Sequence, residues 1–151
     1  MKLLSFDPSS SRTGYAFGVL EDTLCIEECG VIDLKRNKNP LSFLFEKVTE
    51  LINKYSPHKV LLETPFYSIN AQTLIKLGEV RGVILLACQT KRVELEEFSP
   101  AEVKISITGY GRATKEQVLS MVNYVYNLQI KDYDIADAVA ILHSYSMRVE
   151  V

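Results

Sequence analysis

A chain of 151 residues, 47% hydrophobic and 24% charged, has the make-up of one ordinary globular domain and excludes the low-hydrophobicity, high-charge class of disordered chains. A formal net charge of −2 excludes a global field that attracts polyanions, so any nucleic-acid binding must rest on local charge. No run approaches the ~18 apolar residues of a membrane span, and the expected location is cytoplasmic.

In chain order, residues 2–6 are mostly apolar, Tyr15, Phe17 and Val19 alternate with small or opposite-facing residues, and residues 24–34 continue in strand-like fashion after a short "EDT" turn. Three strands in quick succession predict an antiparallel meander. Leu41, Leu44, Phe45, Val48, Leu51, Ile52 and Tyr55 then recur at three- and four-residue spacing, the pattern of a helix with one buried face. A short apolar run at 59–63 predicts a buried strand, residues 71–89 a second helix and 92–98 a fifth strand. Strand, helix, strand in that order favours parallel pairing through right-handed crossovers. Ser99, Pro100 and Glu102 fit the N-cap, first and third positions of a further helix. Thr114 and Gln117 repeat that signal, and a last helix is expected over about 134–147. Neither a repeat nor a linker-like stretch divides the chain, so residues 1–151 are expected to form one domain. Three cysteines without C-x-x-C spacing argue against a disulfide framework or a zinc knuckle, and Cys25 and Cys29 are expected to be buried in the third strand.

The acids are where chemistry enters. Asp7 and Glu63 are each placed at the exit of an apolar strand, and ligand sites in sheets with crossover helices gather at the carboxyl ends of strands. Asp134 and Asp137, three residues apart, share a face of the final helix. Singly, each has a bland explanation: turn residue, loop acid, or acids favoured in a first helical turn. Jointly, two acids after apolar strands and a spaced pair on a core-like helix predict convergence. Crowded carboxylates drive one another's pKa upward unless a cation compensates, so the cluster points to a hard-metal cradle for Mg²⁺ or Mn²⁺. His58 is read as a loop residue and His143 as a packing or supporting residue, neither as a catalytic base. Lys104, Arg112 and Lys115 cluster along one segment that includes a helix start. The 71–89 helix carries apolar residues on more than one face, and the surplus is a candidate dimer surface.

Taken together, "FDPSSSRTGYA", "LLETPFYSINAQTLIKLGEVRGV", "FSPAEVKISITGYGRATKEQVLSMV" and "DIADAVAILHSY" resemble the RuvC-type Holliday junction resolvases over about residues 1–145. The resemblance implies a ribonuclease H-like α/β fold. Its expected sheet is five-stranded and mixed, three antiparallel strands first and then parallel ones, flanked by helices. It further implies a homodimer, two Mg²⁺ per active site, paired incisions in opposing strands of four-way DNA junctions, and a branch-migration motor as a further partner class. By position, Asp7, Glu63, Asp134 and Asp137 would be the catalytic, metal-holding carboxylates, with Lys104 and Lys115 as catalytic basic residues near the cleaved strand. Phe66 would meet unpaired bases, and Tyr67, Arg12, Lys76 and Arg112 are further candidate DNA contacts. The family has glycine after the Asp-Pro pair where this chain has Ser9, which would perturb the loop if that position demanded positive φ. Two alternatives differ in class: a branched-DNA binder or a nuclease of broader branched-DNA specificity, and, more remotely, the phosphate-binding opening of actin-like nucleotide-binding domains.

Overall fold

The computed structural model describes residues 1–65 and 70–149. Its elements are β1 (Lys2–Pro8), β2 (Arg12–Leu20), β3 (Leu24–Asp33), α1 (Pro40–Tyr55), β4 (Lys59–Glu63), α2 (Ala71–Thr90), β5 (Glu94–Phe98), α3 (Pro100–Thr108), α4 (Lys115–Tyr126) and α5 (Tyr133–Val149). The five strands form one mixed sheet in the order β3-β2-β1-β4-β5. β1, β2 and β3 pair antiparallel, and β4 lies parallel to both β1 and β5.

Period-two alternation splits the strands between two cores. Leu3, Ala16 and Leu61 face α3, α4 and α5, where they meet Val103, Val118, Ile141 and their neighbours. Leu4, Phe6, Val60 and Leu62 face the opposite side, against Leu44 and Val48 of α1 and Val80 and Ile84 of α2. Ser5, itself fully buried, falls on the α5 side of β1, and its hydroxyl donates to the Ala138 carbonyl at 2.6 Å, tying central strand to final helix. The helix starts follow the sequence signals: Ser99 caps α3, and Thr114 with Gln117 forms a reciprocal capping box on α4.

Four expectations need correction. Asp7 is not the last residue of its strand, because the ladder continues through Asp7↔Gly14 and Pro8↔Thr13. The fifth strand starts at Glu94 rather than 92, since Arg92 takes a left-handed turn (φ 56°) directly after α2. α5 starts at Tyr133 and reaches Val149, capped by Asp132, whose Oδ1 accepts from the Asp134 and Ile135 amides at 2.8 and 3.3 Å. Cys25 is exposed, while Cys29 is half-buried. A bulge explains it: the β2–β3 register passes from Phe17↔Glu28 to Gly18↔Ile26, so Glu27 is extra and the parity of the strand flips between the cysteines. His58 stands where β4 begins; its Nδ1 accepts from the Lys2 amide at 2.9 Å and its own amide donates to the Lys2 carbonyl at 2.9 Å.

Candidate active site

The parallel register places Phe6 beside Leu62, so the next residues along the two strands, Asp7 and Glu63, emerge side by side at the carboxyl edge of the sheet. α5 packs along one face of the sheet with its first turn at this edge. It approaches so closely because β2 has Gly14 beneath its first turn: a β-carbon there would stand 2.1 Å from the Asp134 carbonyl oxygen. The acids of α5 are thereby lowered onto those of the sheet, and carboxylate oxygens of Asp7, Asp134 and Asp137 lie within 4.8 Å of one another. Glu63 lies beside Asp7 on the neighbouring strand, and the ionisations of the two carboxyls are coupled.

The electrostatic strain is visible in the ionisation of the acids. Burial, followed by the charge of Glu63, holds the Asp7 carboxyl well above the ordinary aspartate range. Burial likewise pushes Asp137 up to about 8, with Asp7 and Asp134 adding repulsion and Lys115 opposing it. Glu63 is raised chiefly by burial, with Asp137 adding to the rise and Asp7 and Lys104 relieving it. A carboxylate-only donor set, without a histidine or cysteine, suits a hard, oxygen-preferring divalent cation, and such a charge would relieve this strain. Lys104 of α3 and Lys115, the first residue of α4, line with Glu63 and Asp137 a cleft of about 250 Å³. Lys115 therefore carries its ammonium at a helix start, where backbone N–H groups have no helical partner.

The family model for the crossover junction endodeoxyribonuclease RuvC matches residues 3–144. This chain belongs to the RuvC family. A crossover junction endodeoxyribonuclease RuvC of Dictyoglomus thermophilum is 39% identical over 160 residues, covering 99% of this chain and 99% of its own. That of Brachyspira hyodysenteriae is 40% identical over 152 residues, covering 98% and 95%. Among solved structures, Thermus thermophilus RuvC in complex with Holliday junction substrate superimposes with a TM-score of 0.89 at 22% identity, covering 99% of this chain and 94% of that one. The ribonuclease H-like fold is thus shared, and no described helix is long and apolar enough to cross a membrane.

The remaining positions read from the RuvC-like sequence fall at different distances from the acids. Phe66 and Tyr67 lie outside the described residues. Lys76 borders a separate depression of about 530 Å³ with Ser10, Lys35 and Lys38. Arg112 is exposed in the turn between α3 and α4. Arg12 is engaged by acids: its guanidinium donates to Asp132 Oδ2, and its Nε stands 3.7 Å from Asp134 Oδ2. His143 bridges helices, with Nδ1 2.6 Å from the Tyr126 hydroxyl and Nε2 3.1 Å from the Ser106 carbonyl, in keeping with a packing role. Ser9 is not among the residues with positive φ, and it closes the β1–β2 turn itself. Its amide and hydroxyl donate to the Arg12 carbonyl at 2.8 and 2.6 Å, and its Oγ accepts from the Arg12 amide at 3.1 Å. Serine therefore fits this turn without strain, with side-chain bonds that glycine lacks.

Asp132 and Gly14 are the site residues that sequence reasoning missed. An aspartate just ahead of a helical pattern is a legible N-cap signal. Gly14 carried none, because its role is set by a helix about 120 residues away.

Proposed function

We propose that this chain is a divalent-metal-dependent endonuclease that resolves four-way DNA junctions by paired incisions in opposing strands, acting as a homodimer. One observation carries the reading: Asp7, Asp134 and Asp137, from two ends of the chain, bring their oxygens within 4.8 Å of one another beside Glu63 and a lysine-lined cleft. Family membership and the Holliday junction substrate bound to the T. thermophilus relative support the choice of DNA and of junctions.

In this reading Asp7, Glu63, Asp134 and Asp137 hold two Mg²⁺ ions, with Mn²⁺ as a substitute. The bound cations would supply Lewis acidity, making water a nucleophile near neutral pH and stabilising charge on the phosphate. Asp7 and Asp137 must first give up the protons that burial favours, which couples metal loading to pH. Lys104 and Lys115, on the rim of the cleft, place positive charge where the phosphodiester would enter. Hydrolysis forms a bond from water oxygen to phosphorus while the bond to the 3′ oxygen breaks. Dimerisation would use the outer face of α2, where Ile75 and Leu86 are 64% and 55% exposed.

The test is cleavage of a synthetic four-way junction, with a linear duplex and a fork alongside, in Mg²⁺ with both strands labelled. Symmetric nicks confined to the junction are expected. Cutting of forks at a comparable rate would replace the proposal with a nuclease of broader specificity, and binding without cutting with a branched-DNA binder. Asp7→Asn is expected to abolish cutting and leave junction binding largely intact, because the acids hold metal whereas other groups hold DNA.

A further inference from the structure

Arg12 is a cation set against the α5 end of the acid cluster, where it lines a small depression with Lys115, Asp132 and Asp134. It opens β2, and its guanidinium donates to Asp132 Oδ2 while its Nε faces Asp134 Oδ2 at 3.7 Å. That Nε is buried and makes no hydrogen bond, so the arginine attracts the Asp134 carboxylate without occupying one of its lone pairs. Asp132 is committed at both oxygens. Oδ1 caps α5 through the Asp134 and Ile135 amides, and Oδ2 accepts from Arg12. The first turn of α5 is therefore fixed from β2 by this ion pair, and from α4 by the Tyr133 hydroxyl donating to Glu116 at 3.2 Å.

Building on the metal site proposed above, we infer that Arg12 is a positioning residue, a latch that uses Asp132 to hold the Asp134 carboxylate in metal-ready orientation. Two opposed effects decide the sign. As a bare positive charge near the site, Arg12 repels an incoming cation, and its removal would tighten binding. As the ionic partner of Asp132, whose other oxygen holds the Asp134 amide, it reduces the freedom that Asp134 must lose when it ligates, and its removal would weaken binding. Partly exposed charges are screened, with side-chain exposures of 31% and 28% for Arg12 and Asp134, whereas the hydrogen bonds that run from Arg12 through Asp132 to the Asp134 amide are not, so orientation prevails.

The experiment is Mn²⁺ titration of the DNA-free protein by electron paramagnetic resonance, which requires no cleavage. Arg12→Ala and Arg12→Lys are expected to weaken Mn²⁺ binding by about tenfold, the lysine failing because it lacks the planar fork. Asp132→Asn keeps a good helix cap but loses the ionic partner, and is expected to behave like Arg12→Ala with little change in thermal midpoint. The double variant should be no weaker than either single one, since both break the same latch. Raising Mg²⁺ should restore junction cutting by Arg12→Ala. Unchanged or tighter Mn²⁺ binding in Arg12→Ala, wild-type affinity in Arg12→Lys, or additive losses would each overturn the latch while leaving the metal site standing. Absence of Mn²⁺ binding by the wild-type protein would overturn both.

Discussion

Asp137 carries a stability consequence that can be read without any substrate. Its carboxyl moves from an ordinary 3.8 to about 8 on folding, so between these values the folded chain binds a proton that the unfolded chain has released. Stability without metal must then fall as pH rises through that window, with Asp7 contributing in the same direction. Calorimetry of metal-free protein is expected to show the midpoint dropping by at least ~2–4 °C between pH 5 and pH 8. Saturating Mg²⁺ should flatten the profile, because the bound cation replaces the protons. Asp137→Asn should raise the metal-free midpoint at pH 8, since the amide occupies the site without charge. A wild-type midpoint independent of pH would show that the acids are less crowded than the geometry requires.

The elements transmit this crowding, and α5 is the one that sets it. With the Asp134 carbonyl lying where a β-carbon of residue 14 would go, Gly14→Ala must push the first turn of α5 off β2. The expected result is a loss of ~1–3 kcal/mol in denaturant unfolding. Displacement of Asp134 and Asp137 should also slow junction cutting on the order of 100-fold at fixed Mg²⁺, measured by single-turnover cleavage. The element pattern itself was legible, because apolar spacing and caps are local: the β4 run ended at Glu63, and Ser99 and Thr114 announced α3 and α4. The three acids that the structure brings together, Asp7, Asp134 and Asp137, stood out for the same reason, as each sat next to a clear apolar pattern. What escaped was long-range. Asp7 was placed at a strand end because the residues that extend its ladder, Thr13 and Gly14, belong to β2. The Arg12–Asp132 pair spans 120 residues and has no local signature. The exposure of Cys25 depends on one extra residue, Glu27, whose presence shows only in the pairing with β2.

At the scale of the molecule, the sheet separates two cores, and α2 buries only part of its apolar surface in the second of them. Ile75, Gly82 and Leu86 fall at spacings of seven and four along the helix, a single outward stripe that would seat a second copy. Leu86→Glu is expected to convert a dimer to a monomer in sedimentation velocity, and to turn symmetric double incisions into isolated nicks. An unchanged sedimentation coefficient would move the interface elsewhere. Chain order has a further consequence. The acids of the sheet are synthesised early, but Asp134 and Asp137 leave the ribosome on α5, after every other described element. A nascent chain thus cannot bring Asp7, Asp134 and Asp137 together until α5 has been made, and a product truncated before α5 would lack the acid cluster altogether.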